Sequence, residues 1–138
     1  MARRPTPKAI QKLLASAGDR VAQRLPLRWQ VAVAARTVDG GIIRFTPPVG
    51  EPIEIRAYVD RRRDPRRAAA LPTFDEPTIV VSDWLSPRTR TILDETDRSY
   101  ADTTGNISLS IDAPLIAIRS QGADRTPSPP PRVRSSLR

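Results

Sequence analysis

Thr78-Ile79-Val80-Val81-Ser82 constrains the fold more than any other stretch, because its apolar side chains run consecutively instead of alternating with polar ones. A strand with one face in water alternates, whereas a near-continuous apolar run of this length is the pattern of a strand covered on both faces. The run predicts a central strand. At 138 residues the chain has the length of one domain, enough for a single sheet with two or three helices on it. No stretch approaches the roughly 18 consecutive apolar residues of a membrane span. No apolar segment follows Arg3 and Arg4, so no secretory signal is expected and a cytoplasmic location is.

The remaining elements follow from period and punctuation. Residues 1–5 read as a basic arm. Thr6 as N-cap and Pro7 at the first helical position open a helix whose Ile10, Leu13, Leu14, Ala17, Val21 and Leu25 recur at three- and four-residue spacing, which predicts a helix to about Leu25. Trp29, Val31, Val33 and Ala35 alternate with Gln30, Ala32, Ala34 and Arg36 as in a strand. Asp39-Gly40 then marks a hairpin turn into a strand over 41–46, and Gly50 leads to a third strand. In that third strand Ile53, Ile55, Ala57 and Val59 share one face, and Glu54, Arg56 and Tyr58 the other.

After the central strand, Ser86-Pro87 starts a second helix by the same cap-then-proline device, carrying Ile92 and Leu93 inward. A strand through Ser99-Tyr100-Ala101 meets a turn at Asp102-Thr103-Thr104-Gly105-Asn106, and Ile107, Leu109 and Ile111 begin a second hairpin. The sum is an α/β (α+β) domain over 6–120, with a mixed sheet of about five to seven strands and two main helices. Residues 121–138, with four prolines and four arginines, read as an extended, disordered tail.

The chemistry open to the chain is narrow. It has no histidine and no cysteine, which removes imidazole bases, thiol nucleophiles, disulfides and zinc-finger sites. Lys plus Arg number 23 against 15 Asp plus Glu, a formal charge of +8 that points toward polyanions. The densest basic segment follows the third strand, where Arg61, Arg62, Arg63, Arg66 and Arg67 crowd together. With Arg132, Arg134 and Arg138 of the tail, these are the candidate nucleic-acid contacts. Trp29 and Trp84 read as core or interface anchors rather than base-stacking platforms, since only 4% of the chain is aromatic.

Three segments together carry a family resemblance: Ile79-Val80-Val81-Ser82-Asp83-Trp84-Leu85-Ser86-Pro87-Arg88-Thr89-Arg90, Ser99-Tyr100-Ala101-Asp102-Thr103-Thr104-Gly105-Asn106, and Gln121-Gly122-Ala123-Asp124-Arg125. They resemble the N-terminal part of actinobacterial winged-helix transcriptional regulators similar to AbiEi-type antitoxins. The Tyr-x-Asp-x-x-Gly-Asn element is the most specific part. The resemblance implies a restriction-endonuclease-like, or PD-(D/E)XK-like, scaffold followed by a winged helix. That winged helix would begin near Ser135 to Arg138, where the sequence stops.

In active nucleases of that fold, the resemblance implies, an Asp on one strand and a Glu-x-Lys on the next hold a divalent metal. Glu54-Ile55-Arg56 stands in the place of Glu-x-Lys, but Arg56 cannot give up its proton and the preceding strand has no carboxylate. Asp39 and Asp102 are the substitutes, so a nuclease would use Glu54, Arg56, Asp39 and Asp102 with Mg²⁺. The plainer reading makes Glu54 and Arg56 an ion pair on the sheet surface, and the Asp102–Asn106 segment a tight turn closed by its own side chains. The expectation is therefore a non-catalytic nucleic-acid-associated regulatory domain with no metal and no cofactor. A metal-dependent nuclease and a protein-interaction or dimerisation module are the alternatives.

Overall fold

The computed structural model describes residues 7–26, 28–37, 40–60, 77–111 and 116–125. Among them lie two helices, α1 (Pro7–Ala22) and α2 (Pro87–Glu95). Seven strands accompany them: β1 (Gln30–Thr37), β2 (Gly40–Thr46), β3 (Ile53–Val59), β4 (Thr78–Ser82), β5 (Ser99–Asp102), β6 (Ile107–Ile111) and β7 (Ile116–Ser120). The strands form one mixed sheet whose spatial order is the chain order. Pairing is antiparallel from β1 to β3, parallel from β3 to β5, and antiparallel again from β5 to β7. The expected α/β domain with two helices is present.

β4 is central, with Ile79, Val80, Val81 and Ser82 all buried. Its side chains divide the interior in two. Ile79 and Val81 join Phe45, Ile55, Ala57, Ala101 and the hairpin residues Ile107, Leu109 and Ile111 beneath the apolar stripe of α1. Val80 faces the other way, where Leu85, Leu93 and Tyr100 make a smaller core under α2. A parallel pair needs a crossover connection, and α2 supplies the one between β4 and β5.

Several boundaries differ from expectation for local reasons. The regular part of α1 ends at Ala22 rather than Leu25; Arg24 and Leu25 donate to the carbonyls of Val21 and Ala22 at 2.9 and 3.2 Å, tightening the last turn to i→i+3 bonds. Gly40 and Gly41 are strand residues of β2, paired with Thr37 and Arg36 on one side and with Tyr58 and Ala57 on the other. A Cβ on Gly41 would lie 2.5 Å from the Ala35 carbonyl oxygen and 2.8 Å from Leu14 Cδ1, so glycine is set there by close packing. Thr6, Asp39 and the stretch 61–76 lie outside the described residues.

The sheet depends on α1 most directly through Leu14, which is fully buried among the strands. Leu14→Ala is expected to lower the unfolding free energy by about 2–5 kcal/mol. Urea denaturation with an unchanged m-value checks it.

Candidate functional site

The turn between β5 and β6 is built around one carboxylate. Asp102, the last residue of β5, is fully buried, at 0% relative exposure. Its Oδ1 accepts from the backbone N–H of Thr104 and Asn106 at 2.9 and 3.0 Å and from the Thr104 hydroxyl at 2.7 Å. Its Oδ2 accepts from Leu85 N at 2.9 Å and Asn106 Nδ2 at 2.8 Å. Gly105 sits at φ +105°, the left-handed conformation the turn needs. The reading of this segment as a side-chain-closed turn is correct as far as it goes.

The turn also reaches across the fold. Asn106 Oδ1 accepts from Gly122 N at 2.7 Å, and its Nδ2 donates to the Ala123 carbonyl at 2.9 Å. Thr104 Oγ1 accepts from Ala123 N at 3.1 Å, and Trp84 Nε1 donates to the same Ala123 carbonyl at 2.9 Å. Gly122 lies so close to Thr104 that a Cβ would stand 2.6 Å from the Thr104 carbonyl carbon. Composition places the tail boundary at residue 120, yet this hydrogen-bonded clasp continues through Ala123.

Leu85 N, which Asp102 holds, lies one residue before the N-cap of α2. Ser86 Oγ accepts from Thr89 N at 3.2 Å and Pro87 occupies the first turn, as expected. The carboxylate thus ties together the start of α2, the β5–β6 turn and the segment after β7. It carries no free oxygen lone pair aimed at solvent.

Glu54 has a different surrounding. Its carboxylate is 48% exposed and its Oε2 meets Arg44 NH2 at 2.7 Å, across the β2–β3 register that sets Arg44 opposite Glu54. The expected partner is Arg56, on the same strand; the cross-strand neighbour takes the contact because opposed residues on one face stand closer than residues i and i+2. The strand position that faces Glu54 therefore holds a guanidinium.

Asp102 and Glu54 do not meet. Ser82 pairs with Asp102 and Val81 with Val59, which puts Asp102 level with Asp60, six residues along β3 from Glu54. At about 3.3 Å per residue that is ~20 Å along the strands. One hard cation bound at ~2.3–2.6 Å spans no more than about 5 Å between carboxylate oxygens. Among the described residues no group of three His, Cys, Asp or Glu is placed to hold a metal. Asp39, Arg61, Arg62, Arg63, Arg66, Arg67, Arg132, Arg134 and Arg138 lie outside the described residues. Among the described helices none is long and apolar enough to cross a membrane.

The structure brings forward a basic surface that runs of arginine in the sequence do not mark. The outer side of α1 and the turn after it expose Lys8, Lys12, Arg20, Arg24 and Arg28, with Asp19 the only acidic residue among them. Lys8, Lys12, Arg24 and Arg28 form no ion pair with any described residue. Their mark in the sequence is the i, i+4 spacing of Lys8–Lys12 on the polar side of α1, with Arg24 and Arg28 in the turn that follows Ala22. On the opposite face of the sheet, by contrast, Arg44, Arg90 and Arg119 are each matched by a carboxylate.

Comparison with known protein families, with characterised proteins and with solved structures finds no match.

Two outcomes test these roles of the polar residues. Asp102→Ala leaves five donors without their acceptor and is expected to cost at least about 3 kcal/mol, read as a fall in Tm. Tyr100, buried under α2, has its pKa raised above 10.0, by burial first and then by the Asp94 charge. The folded state holds this proton more tightly than the unfolded chain, so its contribution is complete below pH 10.0 and is lost as pH rises through the folded pKa. Stability measured from pH 9 upward is expected to fall more steeply in the native chain than in Tyr100→Phe.

Proposed function

We propose that this chain is a non-catalytic nucleic-acid-associated domain that grips phosphates without reading sequence. The observation that carries it is the set of exposed bases on α1 and the following turn, Lys8, Lys12, Arg24 and Arg28, which have no ion-pair partner among the described residues. Bases left unmatched on α1 and the turn after it, in a chain of net charge +8, are an electrostatic footprint for a polyanion. Lys8 and Lys12 lie one helical turn apart, about 6 Å, so neighbouring phosphates of one strand are within reach of successive bases. Arg61, Arg62, Arg63, Arg66, Arg67, Arg132, Arg134 and Arg138 would extend the same field.

Arg28 adds support from the backbone. It holds φ 78°, a left-handed conformation that an L side chain adopts at a cost of about 1 kcal/mol or more. A strained arginine in a solvent-exposed turn is better accounted for by what its guanidinium contacts than by the stability of the turn.

The scaffold reading belongs to the same proposal: a restriction-endonuclease-like sheet in a cytoplasmic, antitoxin-like or transcriptional regulator. What supports the loss of chemistry is Arg44 facing Glu54, and Asp102 saturated by protein donors. Mg²⁺- or Mn²⁺-dependent cleavage of DNA or RNA by the purified chain would overturn the non-catalytic part.

The binding test uses fluorescence anisotropy with duplexes of unrelated sequence between 50 and 300 mM salt. Replacing Lys8, Lys12, Arg24 and Arg28 by glutamine is expected to weaken all duplexes alike and to flatten the log–log salt slope by about 0.9 for each phosphate no longer neutralised. The five arginines from Arg61 to Arg67, changed to alanine, form a second arm. Unchanged affinity and slope in both arms sinks the proposal. Arg28→Gly gives an opposed pair of signs, with thermal stability kept or raised and binding weakened.

A further inference from the structure

On the face of the sheet away from α1 an open cleft of about 550 Å³ lies between α2 and β7, with Tyr100 of β5 as its floor. Arg90 and Thr91 line the helix side, and Arg119 and Gln121 the strand side. The two guanidiniums are oriented by the protein. Arg90 is only 14% exposed; its Nε donates to the Leu85 carbonyl at 3.1 Å, and its NH2 meets Asp124 Oδ1 at 2.9 Å. Arg119 reaches in from β7 and contacts Asp94 Oδ1 at 3.1 Å. Tyr100 and Asp94 both line the cleft, and burial is the chief cause that raises the Tyr100 pKa.

We propose that this cleft binds a phosphate monoester, with Arg90 and Arg119 as a two-sided clamp. Its volume lies in the range of about 300–1,000 Å³ usual for small-molecule sites, and its lining sets the Asp94 carboxylate beside the two cations. Each arginine already has a carboxylate, so an incoming anion must displace one, and the chemistry of the rim decides which. Asp124 is 59% exposed and lies after β7, so its pair with Arg90 is open to solvent and easily exchanged. Its lowered pKa comes chiefly from the hydrogen bond with Arg90, which identifies Asp124 as the group occupying the arginine's free edge. A monoanion would merely replace Asp124. A phosphate monoester, with a charge near −2 and three acceptor oxygens, can engage both guanidiniums at once and has reason to win.

The same phosphate chemistry is offered by a free nucleoside monophosphate and by the 5′-phosphate end of a nucleic acid. The cleft is on the opposite face of the sheet from α1 and is independent of that helix's role.

Titration of the whole chain with inorganic phosphate, a nucleoside 5′-monophosphate and the unphosphorylated nucleoside, followed by amide and arginine Nε NMR shifts, tests the proposal. Saturable shifts at Arg90, Thr91, Arg119 and Gln121 with the two phosphates, and none with the nucleoside, are expected. Arg119→Gln, an exposed side chain, is expected to weaken monophosphate binding about tenfold or more. Asp124→Asn, which removes the competing carboxylate, is expected to tighten it several-fold. The glutamine variant of Lys8, Lys12, Arg24 and Arg28 leaves monophosphate binding unchanged, which separates the cleft from the α1 surface. A 5′-phosphorylated oligonucleotide compared with its 5′-hydroxyl form shows which source the cleft prefers. Absence of saturable shifts at the cleft, or weaker binding by Asp124→Asn, overturns the proposal.

Discussion

Five hydrogen bonds converge on the carboxylate of Asp102, and the second half of the fold is arranged so that they can. A buried carboxylate with unmet acceptors is costly, whereas one ringed by donors stabilises every segment that supplies a donor. Here the suppliers are the loop entering α2, the β5–β6 turn and, through Asn106 and Thr104, the chain leaving β7. Three segments far apart in sequence are fixed relative to one another by a single side chain. The cleft between α2 and β7 inherits that rigidity, because both of its walls start or end at residues the clasp holds.

Local pattern and long-range convergence are unequally visible in the sequence. β4 can be read because burial on both faces suppresses alternation, and Ser86-Pro87 because a cap and a proline act within one turn. Asp102 is visible only as a turn residue. Leu85 lies 17 positions away, and Gly122 and Ala123 reach Asp102 only by way of Asn106 and Thr104, and no periodicity links such distances. For Glu54 the choice of partner is a matter of register: Arg56 is fixed by spacing on the strand, but Arg44 comes opposite only once β2 and β3 are aligned. Register is set by the β2–β3 connection and by packing against α1, neither of which a single strand encodes.

The electrostatics divide along the sheet. On the α2 face Arg44, Arg90 and Arg119 each have a carboxylate within 3.1 Å while the exposed Arg88 has none among the described residues, and the bases of α1 have none either. Surface pairs of the first kind contribute little to stability, so their chief effect is to lower the field on that side. The unmatched side keeps its field, which extends outward by roughly a Debye length of ~8 Å at physiological salt.

The Arg44–Glu54 pair shows how strand register decides what a surface carboxylate can do. A divalent ion needs oxygen donors converging from two neighbouring strands, and opposed residues on one face, with Cβ atoms ~4.5–5.5 Å apart, are where such donors can come from. In this chain that position holds a cation, which satisfies Glu54 and repels a metal by the same charge. The helix-covered side differs, since Lys8 and Lys12 of α1 stand there without counter-charges among the described residues.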